Sequence, residues 1–142
     1  NDTAAKCLRG LEPDVVSACT DVTGFGLAGH ATEMAEASGV SLNLIAESLP
    51  ALEGALDLAR EFLPCGGRAN LKHFKGFVAS SEVPIERQLL CLDPQTSGGL
   101  LVALKPQSAG SFVQTLRAAG VPATVIGEVV ERGVGEPPVH LR

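Results

Sequence analysis

The segment from Val15 to Ser38 constrains the fold more than any other. Val15–Cys19 is a short apolar run that predicts a strand. The turn that follows carries G-x-G-x-x-G at Gly24, Gly26 and Gly29. A helical stretch then runs to about Ser38, with Leu27, Ala31, Met34 and Ala35 at helical spacing. Gly39 fits its C-terminal stop. A strand running through glycines into a helix belongs to layered α/β architectures.

The rest of the chain keeps this alternation. Residues 3–11 read as the end of a helix, interrupted by Pro13. Val40, Leu42 and Leu44 alternate with Ser41 and Asn43, as in a half-buried strand. Residues 51–63 predict a helix with Leu52, Ala55, Leu56, Ala59, Phe62 and Leu63 on one face and Pro50 near its first turn. The stretch LPCGGRANLKHFKG breaks all periodicity, predicting a long loop and an internal seam over residues 64–82. Residues 84–91 are short and helix-like, 93–99 (DPQTSGG) have turn chemistry, and Leu100–Leu104 reads as a strand. Pro106 opens the clearest helix, with Ala109, Phe112, Val113, Leu116 and Ala119 as its stripe, and Gly120 and Pro122 end it. Ala123–Val130 and Val139–Leu141 complete the strands. The expectation is a layered α/β sandwich in one domain over residues 1–142.

Composition narrows the function classes. With 142 residues, 45% of them hydrophobic, the chain can bury a core. It has no Trp and no Tyr, so that core is aliphatic. The net charge is −5 and basic residues are scattered, which argues against a nucleic-acid face. No apolar run is long enough for a transmembrane helix and no signal peptide is visible, so a membrane role is not expected and the cytoplasm is. The chain starts at Asn1 without Met, as a fragment of a longer protein would. Cys7, Cys19, Cys65 and Cys91 form no C-x-x-C, and no His sits at zinc-finger spacing. They read as small buried hydrophobes in a reducing compartment.

The glycine turn has two chemical readings. As a dinucleotide loop it would use Gly24, Gly26 and Gly29, with Glu47, 18 residues after Gly29, on the ribose of an NAD-type cofactor. Asp21 is the objection, because a carboxylate beside a pyrophosphate repels it. At about 4 Å and an effective dielectric near 20, that repulsion is about 4 kcal/mol. A divalent cation between the two reverses the sign, and Mg²⁺ takes one or two carboxylates together with phosphate oxygens. D-x-T-G-x-G therefore fits a metal–phosphate corner, unless Asp21 only forms an Asx turn. Thr23 either offers its hydroxyl to phosphate or caps the helix. His30 reads as a hydrogen-bonded structural residue. In CLDPQTSGGLL, Asp93-Pro94 starts a turn and Gly98-Gly99 permit close backbone approach, or simply form a tight junction into a strand. Nothing in spacing makes Asp93 a metal ligand.

TDVTGFGLAGH followed by LDPQTSGGLL closely resembles selenophosphate synthetase (selenide, water dikinase), of the aminoimidazole ribonucleotide synthetase superfamily. PCGGRAN at Pro64–Asn70 is similar to that family's PGGT-x-R-N loop, although Arg68-Ala69-Asn70 follow Gly66-Gly67 one residue early and without the Thr. IGEVVERG adds to the likeness, which spans about Asp14 to Arg142. The resemblance implies an α+β fold with a mixed sheet, like the C-terminal domain of aminoimidazole ribonucleotide synthetase. It implies a C-terminal half that works with an N-terminal ATP-binding half in a homodimer, making selenophosphate from selenide, ATP and water with release of AMP and orthophosphate. It assigns Asp21 to Mg²⁺ and places Thr23, Gly24, Phe25 and Gly26 beside the nucleotide, with the Gly66-Gly67 and Gly98-Gly99 segments flanking the cleft. The family's reactive Cys or selenocysteine, its essential Lys and most of its aspartate ligands lie in the N-terminal half. No catalytic residue is therefore expected in this chain, which should be inactive alone. DVTGFGL with DPQTSGG argues against the superfamily's thiamine-phosphate and purine activities. A non-catalytic dimerisation or docking domain is the remaining alternative.

Overall fold

The computed structural model describes all residues from Asn1 to Arg142. Helix α1 covers Asp2–Arg9, with Asp2 in its first turn and Lys6 and Arg9 in its last, the charge order a helix dipole favours. Strand β1 is Val16–Asp21 and leads into α2, Gly26–Ser38. Gly39 ends α2 in the left-handed region at φ 66°, as expected of a glycine stop. β2 is Val40–Leu44, followed by a 3₁₀ turn at Ala46–Ser48 and the four-residue α3, Ala55–Leu58. Next come α4 (Cys65–His73), β3 (Val78–Ala79) and α5 (Ile85–Leu92). β4 (Leu100–Leu104), α6 (Pro106–Ala118), β5 (Gly127–Glu131) and β6 (Val139–Leu141) complete the chain.

The fold is α+β with a mixed sheet, as expected, but the strands divide into two sheets. β1 pairs antiparallel with β4 alone. The second sheet has the order β3-β6-β2-β5, with β2–β5 antiparallel and β2–β6 and β3–β6 parallel. Helix α2 packs on β2, β1 and β6 and also contacts α4 and α5. Its buried face is Ala28, Gly29, Ala31, Thr32 and Ala35, small residues that let the helix axis sit close to the sheet. Leu27 and Met34 of the expected stripe lie at the margin of this core. A smaller core of Ala4, Phe112 and Leu116 joins α1 and α6 to the β4 residues Leu100 and Leu104.

Three expectations are corrected. The helix over 51–63 shrinks to Ala55–Leu58, because Gly54 takes a left-handed φ of 76° and Pro64 closes the far side. Leu52 and Phe62, placed on its inner face, are 87% and 64% exposed. The 64–82 segment is not a loop or a seam, since α4 occupies half of it and packs against α2 and α5. Gly66 and Gly67, which signalled a loop, are close-packing positions inside a helix. A Cβ on Gly66 would come 2.8 Å from Pro94, and one on Gly67 2.6 Å from Leu63. Tertiary contact here overrides the poor helix propensity of glycine. Finally, the strand expected at Ala123–Val130 begins only at Gly127, where Asn43 and Leu44 of β2 become its partners.

Candidate functional site

Asp21 is the last residue of β1 and pairs with Leu100, the first residue of β4. This one register position joins the two motifs. Past it, the Val22 N–H donates to the Gly99 carbonyl at 2.9 Å, and the Gln95 N–H to the Thr23 carbonyl at 3.0 Å. TDVTGFG and DPQTSGG are thus zipped backbone to backbone. An open cleft of about 350 Å³ lies at their junction, lined by Asn1, Asp21, Thr23, Thr96, Ser97 and Gly98. Apart from the Asn1 amide nitrogen, which donates to the Gly98 carbonyl at 3.0 Å, the cleft is rich in oxygen donors. A larger surface hollow of about 580 Å³ lies between Lys75–Ala79 and the Arg132 and Gly135–Pro138 side and holds none of the candidate cation- or nucleotide-binding residues.

Gly98 is required where it stands. A Cβ there would lie 2.1 Å from the Val22 carbonyl oxygen, far inside van der Waals contact, so only glycine lets the two motifs meet. Gly99 has nothing within 4 Å of its Cβ position. Gly26, with φ 70°, is constrained twice: its conformation is left-handed, and a Cβ would meet the backbone of Cys91, Leu92 and Asp93 at 2.8–2.9 Å. Gly29 makes room for the Phe74 ring, 2.8 Å from its Cβ position. Gly24 has open space.

A third stretch reaches the same place. Asn70 of α4 is buried, and its side-chain amide donates to the Gly24 carbonyl at 2.8 Å and the Leu92 carbonyl at 3.0 Å. This clasp was not legible as such in the sequence. Its only signal was a poor helix former inside PCGGRAN, the motif the resemblance had already marked.

The side chains divide as follows. Asp21 is exposed at the cleft wall. Thr23 lines the cleft and its Oγ1 lies 2.9 Å from His30 Nε2, while His30 Nδ1 lies 2.9 Å from Glu33 Oε2. Asp93 is occupied within its own loop, where its Oδ2 accepts from Gln95 Nε2 at 2.9 Å. Glu47 lies 3.9 Å from Arg87 Nε, in the 3₁₀ turn after β2. Cys19 sits two residues before Asp21 on the same strand, and partial desolvation followed by the Asp21 charge raises its thiol pKa. Cys91, 2% exposed, is pushed up to about 12 by burial.

The dinucleotide reading does not survive this geometry. A dinucleotide fold sets the strands on either side of its glycine-opened helix in one parallel sheet. Here β1 belongs to the two-stranded sheet and β2 to the other. Gly26 and Gly29 serve internal packing, and the Gly26 N–H is already given to the Thr23 carbonyl at 3.0 Å. Glu47 pairs with an arginine of α5 instead of facing the turn.

The donor set fits a hard divalent cation in part. Carboxylate and hydroxyl oxygens suit Mg²⁺, and no imidazole or thiolate lines the cleft to favour zinc. No group of three or more His, Cys, Asp or Glu converges anywhere in the chain. Asp21 is thus a single-carboxylate corner, of the kind that binds Mg²⁺ together with phosphate oxygens and ligands from elsewhere.

Comparison with known proteins agrees with the motif evidence. The family model for the AIR synthase related protein C-terminal domain matches residues 3–140. Selenide, water dikinase of Clostridium botulinum (strain Eklund 17B / Type B) is 40% identical over 135 residues, covering 94% of this chain and 38% of that protein. The enzyme of the same name from Geobacter metallireducens is 45% identical over 115 residues, covering 80% of this chain and 34% of the relative. The chain therefore spans little more than a third of these relatives. Among solved structures, E. coli HypE, a hydrogenase maturation protein, superposes with a TM-score of 0.61 at 22% identity, over 98% of this chain and 34% of its own. Thiamine-monophosphate kinase from Stenotrophomonas maltophilia gives 0.57 at 20%, over 89% and 31%. These two share the fold. With two motifs meeting at one cleft and the family model covering nearly every residue, the chain belongs to the AIR synthase related protein C-terminal domain family.

Proposed function

We propose that this chain is the C-terminal domain of a selenide, water dikinase and forms one wall of its Mg–ATP site. The observation that carries the reading is the meeting of TDVTGFG and DPQTSGG at a single cleft with the Asp21 carboxylate on its wall. The other wall, with the remaining carboxylates and the reactive Cys or selenocysteine, belongs to an N-terminal ATP-binding half of the same cytoplasmic, homodimeric enzyme. Relatives nearly three times the length of the matched region support this division.

Bound Mg²⁺ would neutralise phosphate charge while a phosphoryl group passes from ATP to selenide. The residues of this chain hold and shape. Asp21 holds the cation by charge. Thr23, Gly24 and Gly26 form the turn that keeps the wall close to the nucleotide. Gly98 keeps the second loop against Val22, so that the oxygens of Thr96 and Ser97 stay in the cleft. None of the four cysteines attacks substrate, and Cys91 is held as a buried thiol.

In the full-length enzyme, Asp21→Asn should abolish selenide-dependent AMP formation with little loss of fold. Wild-type turnover in that variant would remove Asp21 from the metal site. The 142-residue chain alone should release no AMP from ATP and selenide, and AMP formation by it would refute the two-walled site.

A further inference from the structure

Thr23, His30 and Glu33 form a hydrogen-bonded line that ends in the cleft. Thr23 lines the cleft just before α2. His30 stands one turn into the helix and Glu33 one turn further, on the same face. The contacts are Thr23 Oγ1 to His30 Nε2 at 2.9 Å and His30 Nδ1 to Glu33 Oε2 at 2.9 Å. The His30 side chain is only 11% exposed, and the Phe25 ring packs on it with centroids 5.6 Å apart. The imidazole is held by packing as well as by hydrogen bonds.

Donor and acceptor chemistry assigns the protons. A carboxylate accepts only, so the ring nitrogen facing Glu33 carries hydrogen. In a neutral imidazole the other nitrogen, Nε2, is then an acceptor. The group facing it is the Thr23 hydroxyl, whose hydrogen must point at His30. The lone pairs of Thr23 Oγ1 are left for the cleft, two residues from the Asp21 carboxylate.

We infer that His30 and Glu33 are positioning residues that fix the Thr23 hydroxyl as an oxygen acceptor for the cation, or for its bound water, beside Asp21. The inference rests on the reading of the cleft as a cation site. Left free, a threonine hydroxyl donates as readily as it accepts, and a donor pointing into the cleft opposes a cation. The line from Glu33 removes that option. It resembles the ordering of a metal ligand by an imidazole–carboxylate pair, with a hydroxyl at the end.

The test uses the full-length enzyme, with its N-terminal half in place, and Mn²⁺ as probe. Long-range ¹H–¹⁵N spectra of histidine-labelled protein report each ring's tautomer, and His30→Gln identifies the His30 signals. The expected result is hydrogen on Nδ1 and none on Nε2. Hydrogen on Nε2 overturns the inference whatever the cation does. Mn²⁺ should broaden the Thr23 methyl signal in the wild type. Thr23→Val should weaken Mn²⁺ about tenfold, the scale on which supporting groups act on metal affinity. Thr23→Ser, which keeps the hydroxyl, should restore binding, and Glu33→Ala should weaken it while leaving Thr23 in place. Unchanged Mn²⁺ affinity in Thr23→Val, with binding lost in Asp21→Asn, overturns the positioning role and leaves the cation site standing. No broadening in the wild type, or equal binding in Asp21→Asn, overturns both.

Discussion

Asn70 holds Gly24 in place: its side-chain amide donates to the Gly24 carbonyl at 2.8 Å. The same nitrogen donates to the Leu92 carbonyl at 3.0 Å, so one buried group ties α4 to the glycine turn and to the end of α5. Asp21 and Thr23 lie on the chain just before that turn. The cleft is therefore held by β-sheet pairing on one side, through Asp21 and Leu100, and by a single helical side chain on the other.

Removing the clasp should cost stability before it costs chemistry. Asn70→Ala takes the partner from the carbonyl of Leu92, a residue 5% exposed, and from that of the exposed Gly24. An unsatisfied buried polar group costs about 1–3 kcal/mol. The expected loss is within that range, read as a shift in the urea midpoint without a change in slope. Asn70→Asp should be worse near neutral pH, because a carboxylate would face two acceptors. It should recover on acidification, when the acid can donate one hydrogen bond. A Asn70→Asp variant as stable as wild type at neutral pH would rule out the two-carbonyl clasp.

Gly98 and Gly99 offer a matched pair. Gly98→Ala puts a methyl 2.1 Å from the Val22 carbonyl, and neither backbone segment can yield without breaking the β1–β4 junction. The expected cost is about 3 kcal/mol, at the upper end for overpacking. Gly99→Ala meets open space and keeps an ordinary φ, so its change should stay within about 0.5 kcal/mol. Thermal melts of the two variants check this directly, and equal effects would contradict the close approach at Gly98.

Acid should release another tie. Lys105, between β4 and α6, hydrogen-bonds Asp14 and attracts its charge, and both effects hold the Asp14 carboxyl below its ordinary 3.8. A depressed acid stabilises the fold above its unfolded pKa, and this contribution is lost as pH falls through the folded value. Asp14 is fully solvent-exposed, so the effect is small. Lys105→Met should lower the melting temperature slightly at about pH 6 and make no difference at about pH 2. A difference that persists unchanged at the lower pH would assign the loss to packing of the lysine stem.

Legibility in the sequence followed the range of the forces involved. α6 is local: Pro106 at its first turn, a regular stripe, and Gly120 at φ 75° beyond it. β2 shows its alternation because Leu42 and Leu44 enter the core, but it is not half-buried as expected: Ser41 on the other face is also buried, its hydroxyl donating to the Pro137 carbonyl at 3.0 Å. α4 was hidden because two adjacent glycines are poor helix formers, and the Pro94 contact that Gly66 makes room for is invisible to local pattern. The division of β1 and β2 between two sheets was hidden for the same reason, and it is what separates this turn from a dinucleotide loop. Asp21 stands out in the sequence by its charge, and the fold puts it on the cleft wall. Its neighbours across the cleft, Thr96 and Ser97, became neighbours only through the Asp21–Leu100 register.

Cys19 can report on the charge of Asp21. Partial desolvation raises its thiol pKa, and the Asp21 carboxylate raises it further. A raised pKa leaves less thiolate at a given pH, so alkylation by iodoacetamide should be slower than for an ordinary thiol and should speed up as pH rises. Asp21→Asn removes the second cause only, and Cys19 labelling should quicken. A divalent cation seated on Asp21 should quicken it in the wild type and not in Asp21→Asn. Cys91, at about 12 and 2% exposed, should remain unlabelled in the folded chain and serves as the internal check that the fold is intact. Mass spectrometry of the Cys19 peptide gives the rates. In the full-length enzyme, Cys19 labelling that does not respond to Mg²⁺ would mean that the cation does not sit on Asp21.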